Sequence, residues 1–141
     1  MTSMTSIDDN KRLARRWLEL VSEHRVEEIC ALTADDWIMQ GGPPALPAGP
    51  AGVRELFRTM GAIEQTWTVD DVIAEGDRVV VRATNIVTQD SFFGVPAAGR
   101  VQRFTATFTF QIAGGKVVRT WRNADDLGRL LQLGARLVPA A

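Results

Sequence analysis

Cysteine is nearly missing from this sequence: Cys30 is the only one in 141 residues, so no intrachain disulfide can form. A cytoplasmic setting is the simplest expectation. Histidine is equally scarce. His24 is alone, and His24 with Cys30 cannot make a conventional zinc site. Any histidine-based triad would have to use His24, which falls on the polar end of an expected helix. Long apolar runs are absent too: none approaches the roughly 20 residues needed to cross a bilayer. Net charge is −1 with no basic block, which argues against nucleic acid or a membrane surface as a partner held by charge. There are no internal repeats, low-complexity tracts or glycine-rich phosphate loops. The opening "MTSMTSIDDNK" lacks the apolar core of a signal peptide, and residues 1–7 are expected to be a disordered tail.

What is present suits a soluble globular protein: 45% hydrophobic and 23% charged residues, in a length that fits one domain over 1–141. Asp8, Asp9 or Asn10 can cap a first helix running to about His24, with Leu13, Trp17, Leu20 and Val21 at helical spacing. "RVEEICALTADDW" reads as a second, short helix, with Val26, Ile29 and Cys30 inward. "DDWIMQ" suggests a short strand. The prolines and glycines of residues 41–50 make a loop. A third helix follows, with Val53, Leu56, Phe57 and Met60 on one side. From Gln65 the period drops to two. Two hairpins follow, turning at Glu75–Asp77 and Gly114–Gly115, with the loop "DSFFGVPAAGR" between them. A closing helix runs from Asp126 to about Leu133. Hairpins make neighbouring strands antiparallel. The expected fold is α+β: a curved antiparallel sheet packed against the N-terminal helices, with a pocket between its concave face and the helices.

Three segments, "VIAEGDRVVVRATN", "FFGVPAAGRVQRFTATFTFQIAGGKVVRTW" and "WRNADDLGRLLQLG", resemble the SnoaL-like polyketide cyclases of the nuclear transport factor 2-like superfamily. "NKRLARRWLELV" and "GPAGVRELFRTM" extend the likeness to roughly residues 10–135. The resemblance implies a cone-shaped α+β barrel with a central apolar pocket, action without metal or organic cofactor, and a homodimer. Its best-known members close the last ring of an anthracycline precursor by intramolecular aldol condensation. Others serve in ring hydroxylation, where a reductase partner can supply a reduced polyketide. More distant relatives hydrolyse epoxides or isomerise ketosteroids. A non-catalytic ligand-binding or dimerisation module stays open beside these, because the fold alone does not fix a reaction.

In the family motif an aspartate four residues after a tryptophan is the acid–base group. Here that is Asp125, after Trp121. Asp126 is then the expected helix N-cap, and Asp125 faces the pocket. Parity points the same way: in a regular strand Trp121, Asn123 and Asp125 share a face. Such a carboxyl must be buried to work near neutral pH, since an ordinary aspartate titrates near 3.9.

The remaining pocket candidates are substrate-binding. Trp37 and Trp121 offer flat walls for a polycyclic aromatic ligand, whereas Trp17 reads as core. Gln40, Asn85, Gln89 and Asn123 can orient a carbonyl or a water, and none titrates. Thr107 lies on the threonine face of "FTATFTF", opposite Phe104, Phe108 and Phe110. That face suits a hydroxylated substrate if it turns inward and a second copy of the chain if it turns outward. Arg119 and Arg122 are expected at the surface. Where relatives carry histidine, near Trp37–Gln40 and at Gln89, this chain has none.

Overall fold

The computed structural model describes residues 6–141, so residues 1–5 of the expected tail lie outside the described residues. Ser6 accepts from the Asp9 amide (3.1 Å) and caps α1, Ile7–Ser22. The helix thus starts before the expected aspartate caps. Its buried stripe is Ala14, Trp17, Leu18, Leu20 and Val21, the spacing of one helical face. The short α2, Val26–Ala31, buries Ile29 and Cys30.

The expected second helix and the expected strand "DDWIMQ" overlapped at "DDW"; the strand prevails, since α2 stops at Ala31 and β1 spans Thr33–Gln40. Two contacts end the helix. Thr33 Oγ1 donates to the Ile29 carbonyl (2.7 Å), and the Val117 amide takes the Leu32 carbonyl (2.8 Å). The second bond recruits the chain to a sheet edge. After the loop comes α3, Pro50–Met60, with proline in its first turn, where a missing amide costs nothing.

The long strands are β2 (Ile63–Glu75), β3 (Arg78–Gln89), β6 (Gln102–Ala113) and β7 (Lys116–Ala124). Between β3 and β6 the expected loop holds a miniature hairpin, β4 (Ser91–Phe92) and β5 (Val95–Pro96). Helix α4, Asp126–Gln132, closes the chain. The sheet order is β1-β7-β6-β3-β2. The pairs β2–β3, β3–β6 and β6–β7 are antiparallel, as the hairpins required. β1 joins β7 in parallel, which no hairpin signal could foretell. The α+β class stands as expected.

One face of this sheet meets the helices. Val79, Val81 and Ala83 of β3, with Ala106, Phe108 and Phe110 of β6, join the buried faces of α1, α2 and α3 in one core. α1 packs on β2 and β3, α3 on β1, and α4 on β6. Ser22 Oγ accepts from the Trp67 amide (2.8 Å), pinning the end of α1 to β2.

Helix α3 approaches the preceding loop closely at Gly52. A methyl group there would lie 2.1 Å from the Pro47 carbonyl oxygen and 3.1 Å from the Trp37 ring. Gly52→Ala is therefore expected to cost about 1–3 kcal/mol through overpacking. A urea unfolding midpoint equal to that of the parent chain would contradict this packing.

Candidate functional site

Between the concave face of the sheet and the helices lies a cavity of about 490 Å³. Aromatic rings make much of its wall. Trp17 and Trp37 lie 5.8 Å apart, and Trp67 stands edge-on to Phe104 and Phe108 at 5.5 and 5.1 Å. Trp37 is fully buried, and its Nε1 donates to Thr120 Oγ1 (3.0 Å). Trp17 belongs to the core, as expected, and also to the cavity wall. Such a site is mostly apolar with a few placed polar groups, the usual make-up of a small-molecule pocket.

The expected pocket residues divide. Trp37, Asn85 and Gln89 line the cavity, whereas Gln40, Thr107, Trp121, Asn123 and Asp125 do not. One register shift moves two of them. The β6–β7 hairpin starts with Ala113 opposite Lys116 and Ile112 opposite Val117, but then pairs Gln111 with Arg119 and Phe110 with Thr120. Val118 is the extra residue. Past such a bulge every side chain changes face. Thr120 and Arg122 therefore turn inward beside Phe110 and Phe108. Trp121 and Asn123 turn outward opposite Thr109 and Thr107. Outside, Trp121 receives the guanidinium groups of Arg78 and Arg119 over its ring, at 4.9 and 5.4 Å. Gln40 is exposed and pairs in register with Trp121, so it shares that outer side.

The two aspartates exchange their expected places. Asp125 is the N-cap of α4: its Oδ1 accepts from the Gly128 amide at 2.8 Å, and the residue is exposed. Asp126, one step into the helix, lines the cavity and is its only carboxylate among the described residues. Both oxygens of Asp126 accept from Arg122, at 2.8 and 2.9 Å, in a half-buried bidentate pair. Arg122 also donates to the Gly41 carbonyl (3.1 Å). Gly41 has φ +86°, and a methyl group there would fall 1.9 Å from the Arg122 carbonyl oxygen, so only glycine lets the loop come this close.

Arg129 completes the polar end, and no sequence signal singled it out. It is buried beneath α4, with its guanidinium 3.8 Å above the Phe92 ring and 5.3 Å from that of Phe104. Nε donates to Gln102 Oε1 (3.1 Å) and Nη2 to Gln89 Oε1 (2.6 Å). Burial, and then repulsion from Arg122, bring its pKa down to about 10, against a smaller opposing pull from Asp126. It therefore stays a cation at neutral pH. Asn85 Nδ2 donates to Gln65 Oε1 (3.0 Å), while its buried Oδ1 has no partner.

Fold and site together define a helix-lidded α+β cone built around a small-molecule cavity with one acidic and two basic side chains on its wall. Residues 14–120 match the SnoaL-like domain. The chain belongs to this family, within the nuclear transport factor 2-like superfamily. The match ends at Thr120, before Arg122, Asp126 and Arg129. No curated protein matches the chain. Among solved structures it is similar to TsrD from Streptomyces laurentii, with 26% identity and a TM-score of 0.82 over 95% of this chain and 100% of that one. It is also similar to IdmH from Streptomyces antibioticus, described as a candidate polyketide cyclase, with 26% identity and a TM-score of 0.73 over 89% and 99% of the two chains. AclR from Streptomyces galilaeus, described as a candidate hydroxylase, shares the fold at 21% identity, with a TM-score of 0.76 over 92% and 98%.

The cap assignment has a direct consequence. Asp125→Ala is expected to lower stability by about 1 kcal/mol, and Asp125→Asn, which keeps a capping oxygen, to cost much less. Equal unfolding midpoints for the parent chain and the alanine variant would refute the cap.

Proposed function

We propose that this protein is an enzyme that moves a proton at a carbon next to a carbonyl group of an aromatic polyketide, with Asp126 as the acid–base group. The observation that carries the reading is Asp126 itself: the single carboxylate on the wall of a cavity faced by tryptophan and phenylalanine rings. Its pair with Arg122 fixes the carboxylate's direction through two hydrogen bonds. Preset geometry of this kind removes part of the entropic barrier to proton transfer. The cavity volume lies in the range that takes a drug-sized molecule, and the description of IdmH as a candidate polyketide cyclase agrees with that substrate class.

Aldol ring closure is the leading reaction. Asp126 would remove the proton, and the enolate carbon would form a bond to a second carbonyl carbon of the same molecule. The resulting alkoxide would then take the proton back from Asp126. One carboxyl group serves both steps, so no net proton is gained or lost. No metal or organic cofactor enters this scheme, in line with the family resemblance.

Ring hydroxylation is the second reading. It shares the first step, then lets oxygen meet the carbanion of a polyketide reduced by a partner reductase. The absence of histidine from the cavity lining, among the described residues, favours it. The outward sheet face of Thr107, Thr109, Trp121 and Asn123 would suit a second copy of the chain, making a homodimer in the cytoplasm. No helix among the described residues is long and apolar enough to cross a membrane.

Hydrogen–deuterium exchange at the acidic carbon of a tricyclic polyketide with a β-dicarbonyl side chain, followed by mass spectrometry, tests the role of Asp126. Asp126→Asn should slow enzyme-dependent exchange about 100-fold or more while the variant still binds the compound. Asp125→Asn should stay within about twofold of the parent, since a cap contributes to stability and not to proton transfer. Full exchange by the Asp126 variant would overturn the assignment.

A further inference from the structure

Arg129 is the only buried charged residue among those described, at 4% exposure, and no carboxylate of the described residues lies within ion-pair distance of it. Both of its hydrogen-bond partners are neutral amides. Their orientation is enforced from behind. Gln89 Nε2 donates to the Met60 carbonyl (2.5 Å) and Gln102 Nε2 to the Arg100 carbonyl. Each amide oxygen is thereby turned toward the guanidinium. The nearest acidic residue in sequence, Asp126, has both oxygens engaged by Arg122. The charged side chains on the cavity wall are thus two cations and one anion.

A buried cation without an ionic partner costs folding free energy. Packing alone does not call for one. A methionine would fill the space over Phe92 and Phe104 without that cost, and Gln89 and Gln102 would need no fixed orientation. Nη1 of Arg129 takes part in none of its hydrogen bonds with the described residues. A second polar group on the cavity wall is also unfulfilled. Asn85, 1% exposed, lines the same cavity with Oδ1 unpartnered. It sits opposite Phe104 in the β3–β6 register, and Phe104 is one of the rings beneath the guanidinium. The cavity wall thus carries an open donor at Arg129, suited to an anion, and an open acceptor at Asn85, suited to a hydroxyl of the same ligand.

We infer that Arg129 is an anion-recognition residue, and that the cavity selects aromatic ligands bearing a carboxylate, which docks on its guanidinium. Arg122 adds attraction for such a group, and Asp126 opposes it less than an unpaired carboxylate would, because its charge is shared with Arg122. The inference rests on the proposal that the cavity holds a polycyclic aromatic molecule.

Two flat probes of nearly equal shape separate the ideas: anthraquinone-2-carboxylate and the neutral anthraquinone-2-carboxamide. Quenching of the cavity tryptophans reports their binding. The parent protein should bind the carboxylate about 10-fold or more tightly than the amide, since charge-assisted hydrogen bonds are the stronger ones. In Arg129→Met that preference should fall to about one while amide binding is kept, and Arg129→Lys should retain part of it. If the parent protein binds both probes equally, the aromatic cavity stands and the anion site does not. If neither probe binds, the aromatic cavity fails and the anion site with it. The parent ratio needs no variant, so a poorly folding Arg129→Met leaves the test intact.

Discussion

One extra residue, Val118, decides which side chains the cavity receives. A regular two-residue hairpin at Gly114–Gly115 would set Arg119 against Phe110 and Trp121 against Phe108. The bulge sets Thr120 and Arg122 there instead. Because side chains alternate along a strand, one inserted residue exchanges the two faces for the rest of β7. Opposite Phe108 the cavity thereby has a guanidinium where a regular hairpin would place a tryptophan, and opposite Phe110 a threonine in place of an arginine. Everything at its polar end follows: Arg122 faces inward, reaches the first turn of α4, and finds Asp126 four residues along. The same arginine holds the Gly41 loop, so strand, loop and closing helix meet at one side chain.

The charge pattern then has a simple logic. One carboxylate is shared out to Arg122, and Arg129 is left to amides. An acid–base group needs a fixed direction, which a bidentate guanidinium gives. A binding cation needs the opposite: freedom from any competing carboxylate, with its position secured by neutral groups. Arg122 and Arg129 divide these two conditions between them. Gln89 from β3 and Gln102 from β6 supply the neutral cradle, and Phe92 from the miniature hairpin covers it. All three charged members come from residues after Thr120, past the end of the family match. The family match covers most of the cone, and the terminal segment carries the three charged side chains of the cavity wall.

Most of the fold was legible in the sequence, for reasons that are local. Strict alternation in "FTATFTF" and the β-branched run of "RVVVRATN" mark strands, and Gly76 and Gly114–Gly115 mark their turns. The stripe through Trp17, Leu20 and Val21 marks a helix. The parallel pairing of β1 with β7 was not legible, because it joins residues more than eighty positions apart and carries no turn signal. The site was legible only where a strand stayed regular. Asn85 and Gln89 on β3 line the cavity wall, as does Trp37. Trp121 and Asn123 were lost to the bulge, whose one extra residue, a valine, looks like any strand residue. Asp125 and Asp126 both have an amide three residues on, so capping geometry could not choose between them. Arg129 was invisible because a lone arginine on a short helix resembles an ordinary surface residue until its neighbours are known.

The account stands or falls on which aspartate meets the ligand. A crystal structure of the protein soaked with a tricyclic polyketide addresses this most directly. The account predicts the rings between Trp37 and Trp67, an Asp126 oxygen within hydrogen-bonding reach of the carbon beside a ketone, and Asp125 still bound to the Gly128 amide. A ligand whose reacting carbon lies against Asp125, or one seated on the outer sheet face by Trp121, would contradict it.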